Sequence, residues 1–192
     1  MNFYLETPRL VLREFREDAA ADLFALDSDP AVMRYIGPYT LGDVDAYRER
    51  IRTVNIPYYA DHPGFGVWAA QEKPGGAFLG WFILRHALDY RFAAEAGFRA
   101  GDVELGYRLR RAAWGNGYAT EGARALVRKA FTELSVSRMV AAALEVNAAS
   151  VRVLEKTGLR RRGAFPVPHF ESPVLTFALS RDDYDSQKGE RR

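Results

Sequence analysis

Gly115 and Gly117 stand in the run Trp-Gly-Asn-Gly-Tyr-Ala-Thr (114–120), where an alternating stretch over 102–109 breaks and a helical period takes over at Glu121. A strand, a glycine turn and a helix N-terminus in that order form a cradle for phosphate oxygens. Glycines leave the backbone N–H groups open to a ligand, and the first helical turn leaves further donors unpaired. The spacing points to a ligand carrying a pyrophosphate. Taken alone, the same two glycines also suit an ordinary turn before a helix.

A dinucleotide held by Gly-x-Gly-x-x-Gly fits poorly. Thr120 replaces the third glycine, and Glu145, which ends the next apolar run, lies well beyond the expected acidic position. The other ligand class is an acyl-coenzyme A, and several motifs support it together. They are ETPRLVLREF near the start, VELGYRL followed by WGNGYATEGARALV, then LEVNAASVRVLEKTGLRRRG and a closing VLTFALSRDDY. In this order the chain resembles the GNAT superfamily of acyl-CoA-dependent N-acyltransferases, in the branch of Rim-type ribosomal-protein N-terminal acetyltransferases. The resemblance covers most of residues 5 to 184. It implies acetyl-CoA as co-substrate with no metal, and an amine acceptor that is either a protein N-terminus or a small molecule.

On that resemblance the strands over 102–109 and 138–145 splay apart, and the pantetheine arm lies between them. Backbone groups at Tyr107 and Leu109 hold its amides, while Gly115, Asn116, Gly117, Tyr118, Ala119 and Thr120 hold the pyrophosphate. Ala112 departs from the family's Gln or Arg, with Arg110 and Arg111 close by. Asn147 ends the second splayed strand, where its amide can donate to and accept from the arm; a helix N-cap is its plainer role. Ser150, three residues on, faces the thioester sulfur in the Rim-type branch and hydrogen-bonds the departing thiolate; an early helix residue is its plainer role. Leu154 stands where the broader superfamily often has a tyrosine.

Amine attack on a thioester also needs a proton acceptor. Glu104 is the candidate base, since alternation puts it on the opposite face from Leu105 and Tyr107. A solvated strand glutamate is its plain alternative, and His86 and His169 are rivals. Tyr35, Tyr39 and Phe65 are placed by analogy near the acceptor.

Composition narrows the remaining options. A chain of 192 residues suits one domain over 1–184, with 185–192 as a disordered tail. Zero cysteines exclude a disulfide and a thiol nucleophile, and three dispersed histidines argue against zinc. A net charge of +2 gives little support for nucleic acid, although Arg160 to Arg162 form a basic cluster. Apolar runs are too short for a membrane span, and the start of the chain has no signal pattern, so a cytoplasmic location is expected. Exposed aromatics in the first loops suit a homodimer or a substrate cleft.

Hydrophobic periodicity predicts β-α-α-β-β-β-α-β-α-β-β. The fold class is α/β (α+β mixed): a mixed, mostly antiparallel twisted sheet, splayed between its fourth and fifth strands and flanked by about four helices. The second helix is expected over Asp43 to Val54, ended by Pro57, and residues 89–101 read as a mobile excursion. A non-catalytic acyl-CoA sensor is the second functional class, and nucleic-acid binding the third.

Overall fold

The computed structural model describes residues 3–37 and 40–189; Tyr39 lies outside them. The strands are β1 (Phe3–Glu6), β2 (Leu10–Glu14), β3 (Gly66–Glu72), β4 (Phe78–His86), β5 (Asp102–Leu109), β6 (Arg138–Leu144), β7 (Arg160–Phe165) and β8 (Val174–Ser180). They hydrogen-bond in the order β1-β2-β3-β4-β5-β6-β8-β7. β1–β2, β2–β3, β6–β8 and β7–β8 pair antiparallel. β5 and β6 pair in parallel at their N-terminal ends, Asp102 to Glu104 opposite Arg138 to Val140, and then run on to Leu109 and Leu144. This is the expected mixed sheet, with β1 added to the predicted order.

The helices are α1 (Ala20–Asp27), α2 (Pro30–Met33), α3 (Val44–Arg50), α4 (Ile56–Asp61), α5 (Tyr118–Thr132), α6 (Ala148–Lys156) and α7 (Arg181–Gly189). None is long and apolar enough to cross a membrane. Pro57 does not stop the second predicted helix. A π-turn over Ile51–Asn55 joins α3 to α4, and Pro57 falls in the first turn of α4, where a missing N–H costs least. Residues 185–189, expected in a disordered tail, continue α7. Arg181 of that helix donates to the carbonyls of Phe131 and Val136, both at 2.8 Å, and Tyr184 stacks on Phe131.

The chain forms two compact units. The first comprises Met1–Ile83 and Tyr107–Gly122; the second, Leu84–Gly106 and Ala123–Arg192. In the first, the apolar stripe of α1 (Ala20, Leu23, Leu26) packs with Phe15, Val32, Tyr47, Ile51, Ala69 and Phe78. In the second, the stretch expected to be mobile is anchored: Ala87, Ala93 and Phe98 are buried with Val140 of β6 and Ala178 of β8. The apolar residues of that excursion follow no regular period because short turns, not a helix or strand, deliver them to the sheet. α5 buries Ala123, Leu126, Val127, Ala130 and Phe131, as its helical stripe predicts, while Ala119 stays half-buried.

Candidate functional site

The turn between β5 and α5 has the backbone a phosphate cradle needs. Gly115 and Gly117 both adopt left-handed φ, +77° and +81°. A Cβ built at Gly115 meets nothing within 4 Å, so a ligand can approach the backbone there. The first N–H groups of α5, at Tyr118, Ala119 and Thr120, have no acceptor in a preceding helical turn. The aligned helix dipole adds a partial positive charge at the same point. These features fit a pyrophosphate.

Side chains fix the turn from behind. Asn116 Nδ2 donates to the carbonyls of Trp114 (3.2 Å) and Ala112 (3.4 Å), and Arg9 Nη1 donates to the Asn116 carbonyl at 2.9 Å. Arg9 pairs with Glu121 at 2.6 Å, and its guanidinium lies 4.6 Å from the centre of the Tyr118 ring. Burial opposes ionisation of Glu121, but hydrogen bonds from Thr7 and Arg9 outweigh it and hold the carboxyl below its ordinary range. Tyr118 packs here, buried with its hydroxyl on Glu72. Trp114 Nε1 donates to the Leu109 carbonyl at 2.8 Å, so that carbonyl already has one donor.

Beside the turn is an open pocket of about 590 Å³, lined by Leu26, Asp29 and Val32 on one side and by Arg110, Arg111 and Ala112 on the other. Arg110 is tied to Asp22 on α1. Two residues back, Arg108 forms a largely buried ion pair with Asp27, which also accepts from Tyr47 at 3.1 Å. The Arg108 guanidinium lies over Trp81, 4.9 Å from the ring centre. These contacts fix the charge on this part of β5.

In the second unit, Glu104 is buried, not a solvated strand glutamate. Its Oε2 accepts from Arg85 Nε at 2.6 Å. Burial pushes the Glu104 carboxyl up from its ordinary value, while the Arg85 guanidinium pulls it down. The Tyr90 hydroxyl is pushed up to about 12, first by burial and then by the Glu104 charge, so it stays neutral. A buried carboxylate with a raised affinity for protons and a counter-ion to hold it ionised has the properties of a general base. Asn147 caps α6, its Oδ1 accepting from the Ser150 N–H at 3.2 Å. The plainer role read from the sequence is therefore present. Ser150 lies half-buried in the first turn, and Leu154 is buried on the same helix. Among the described residues no cluster of histidines and carboxylates could hold a metal.

Sequence reasoning did not single out Arg9 and Glu121 in the first unit or Arg85 in the second. Arg9 and Glu121 both stand inside motifs that mark the family resemblance, but nothing in a linear pattern pairs residues 112 apart. Arg85 could be found only from the placement of β4 against β5.

The comparisons agree with this geometry. The family model described as Acetyltransferase (GNAT) domain matches residues 9–160. The FsC-acetyl coenzyme A-N(2)-transacetylase of Aspergillus fumigatus is 29% identical over 189 residues, spanning 94% of this chain and 77% of the relative. The uncharacterized N-acetyltransferase YoaA of Bacillus subtilis is 31% identical over 159 residues, spanning 83% of this chain and 84% of the relative. The aminoglycoside acetyltransferase AAC(6')-Ib, solved in complex with coenzyme A, shares the fold with a TM-score of 0.72 at 19% identity, over 93% of this chain and 99% of that one. With a glycine cradle at the head of α5 and a family match across most of its length, the chain belongs to the GNAT family and is an N-acetyltransferase.

Proposed function

We propose that the protein transfers an acetyl group from acetyl-CoA directly to a primary amine, with both substrates bound at once. The observation that carries this reading is the left-handed turn at Gly115 and Gly117, open at Gly115 and followed at once by the N-terminus of α5. Acetyl-CoA supplies the acyl carbon as an activated thioester. The amides of Gly115 to Thr120 bind its pyrophosphate, and backbone groups at Tyr107 and Leu109 hold the pantetheine arm with help from the Asn147 amide. Glu104 takes a proton from the acceptor nitrogen so that a neutral amine attacks, and Ser150 donates a hydrogen bond to the departing sulfur. With zero cysteines the chain has no thiol to carry the acyl group, which favours direct transfer.

The Rim-type resemblance favours the α-amine of a protein N-terminus as acceptor. The name of the Aspergillus relative specifies an N(2) nitrogen, which favours a small molecule. The proposal commits to the primary amine that both share.

The test is calorimetric titration of acetyl-CoA, followed by free-thiol release in the presence of peptides and polyamines. Amine-dependent release is expected. Binding without release from any amine in the panel would instead favour a non-catalytic sensor. Glu104→Gln is expected to lower kcat/KM by ~10²–10⁴-fold, the usual contribution of a general base. Because Glu104 must be ionised and its pKa is raised, wild-type activity falls as pH drops through a value above the ordinary 4.5. That acid limb is expected to disappear in the glutamine variant, and its persistence would assign the base to another group.

A further inference from the structure

The peptide planes of the glycine turn are held by their carbonyls. A trans peptide carries its C=O and the following N–H on opposite sides. Anchoring the Trp114 carbonyl on Asn116 Nδ2 therefore turns the Gly115 N–H away from that side chain. Anchoring the Asn116 carbonyl on Arg9 Nη1 turns the Gly117 N–H away from Arg9. Arg9 lies close against this peptide: a Cβ at Gly117 would meet Arg9 Nη2 at 3.5 Å, an ordinary contact distance.

Arg9 is itself aimed by Glu121. Glu121 Oε1 accepts from the Arg9 backbone N–H at 3.0 Å and from Thr7 Oγ1 at 2.6 Å. Its Oε2 accepts from Arg9 Nε at 2.7 Å and Nη2 at 2.6 Å. The Arg9 side chain is 47% exposed and Glu121 only 17%, so the pair lies at the surface with its carboxylate end shielded. The Glu121 carboxylate takes Nε and Nη2, and the remaining nitrogen, Nη1, reaches the Asn116 carbonyl, which is what a role in orienting that peptide requires. The guanidinium also neutralises a carboxylate that would otherwise repel an anion at the head of α5.

We propose that Arg9, aimed by Glu121, is a positioning residue that turns the Gly117 N–H toward the pyrophosphate of the acyl donor. The inference rests on the reading of the turn as a pyrophosphate cradle.

The experiment titrates coenzyme A and 3′-dephospho-coenzyme A into the wild type, Arg9→Ala and Arg9→Lys by calorimetry, with ¹⁵N-glycine spectra and thermal midpoints of each protein. Losing one well-set hydrogen bond to a charged group weakens binding ~10–100-fold, and that loss is expected for both nucleotides in Arg9→Ala. Arg9→Lys, which keeps the charge but loses the fork, is expected to fall between the other two. In Arg9→Ala the Gly117 amide resonance is expected to move in the free protein and stop responding to coenzyme A, while Gly115 continues to respond. Affinities within twofold of wild type would overturn the proposal. So would a loss confined to coenzyme A, which would mean a direct contact with the 3′-phosphate. Equal disturbance of both glycines with a lowered thermal midpoint would also overturn it, as general loosening. If coenzyme A moves neither glycine amide in the wild type, the cradle reading itself has failed.

Discussion

Gly115 and Gly122 are seven residues apart and answer opposite demands. A Cβ at Gly115 would point into open space, whereas one at Gly122 would sit 2.3 Å from the buried ring of Phe82. Gly80 belongs with Gly122: a Cβ there would lie 2.1 Å from the Arg108 carbonyl oxygen and 2.8 Å from the Leu109 Cα. Gly117 belongs with Gly115, since only the end of the Arg9 side chain approaches it. One pair of glycines lets protein meet protein, and the other leaves backbone uncovered. Position in the primary structure does not separate the pairs; what lies beyond the missing Cβ does.

The largest effect is expected at Gly80. In Gly80→Val the obstacle is backbone, which cannot swing aside, and the φ of +138° disfavours any side chain. A loss of about 3 kcal/mol or more in urea unfolding is expected. A smaller loss would mean that β5 can shift. Next comes Gly115→Trp, which fills the open face of the cradle. Coenzyme A affinity is expected to drop more than ~100-fold by calorimetry, with a stability loss limited to about 1–2 kcal/mol of left-handed strain. Normal affinity in that variant would remove the turn from the site.

Gly122→Ala should cost about 1–3 kcal/mol, because Phe82 is fully buried and has little room to retreat. Combining it with Phe82→Leu should recover part of that loss. A double variant as unstable as the sum of the singles would show that the ring is not the obstacle. The smallest effect is expected from Gly117→Ala. Its methyl group would meet Arg9 at an ordinary distance, so only about 1 kcal/mol of backbone strain should appear on thermal unfolding. A cost equal to that of Gly122→Ala would erase the distinction between the pairs.

Elements with a strong period were legible in the chain itself. The alternation of β5, the apolar run of β6 and the stripe of α5 all stand where they were expected. β1 was not legible, because four residues, Phe-Tyr-Leu-Glu, are too few to show alternation. The continuation of α3 through a π-turn was hidden by Pro57, whose usual meaning is a helix end. For the candidate site, the turn could be read because its residues are contiguous. The partners that give those residues their character could not: Arg85 beside Glu104 and Arg9 beside Glu121 depend on strand placement and long-range closure. The burial of Glu104 is of the same kind, since alternation gives a face but not what covers it.

The interleaving of the two compact units has a consequence for the newborn chain. Residues up to Ile83 cannot complete the first unit until Tyr107–Gly122 have been synthesised, and Leu84–Gly106 must wait for segments made after Gly122. In the second unit, the Phe131 and Val136 carbonyls wait for donors from Arg181, and the Gly158 carbonyl for one from Gln187. Each unit must therefore wait for a segment made after the other has begun, and until then strand edges stay uncovered, the interval in which a chaperone has most to offer.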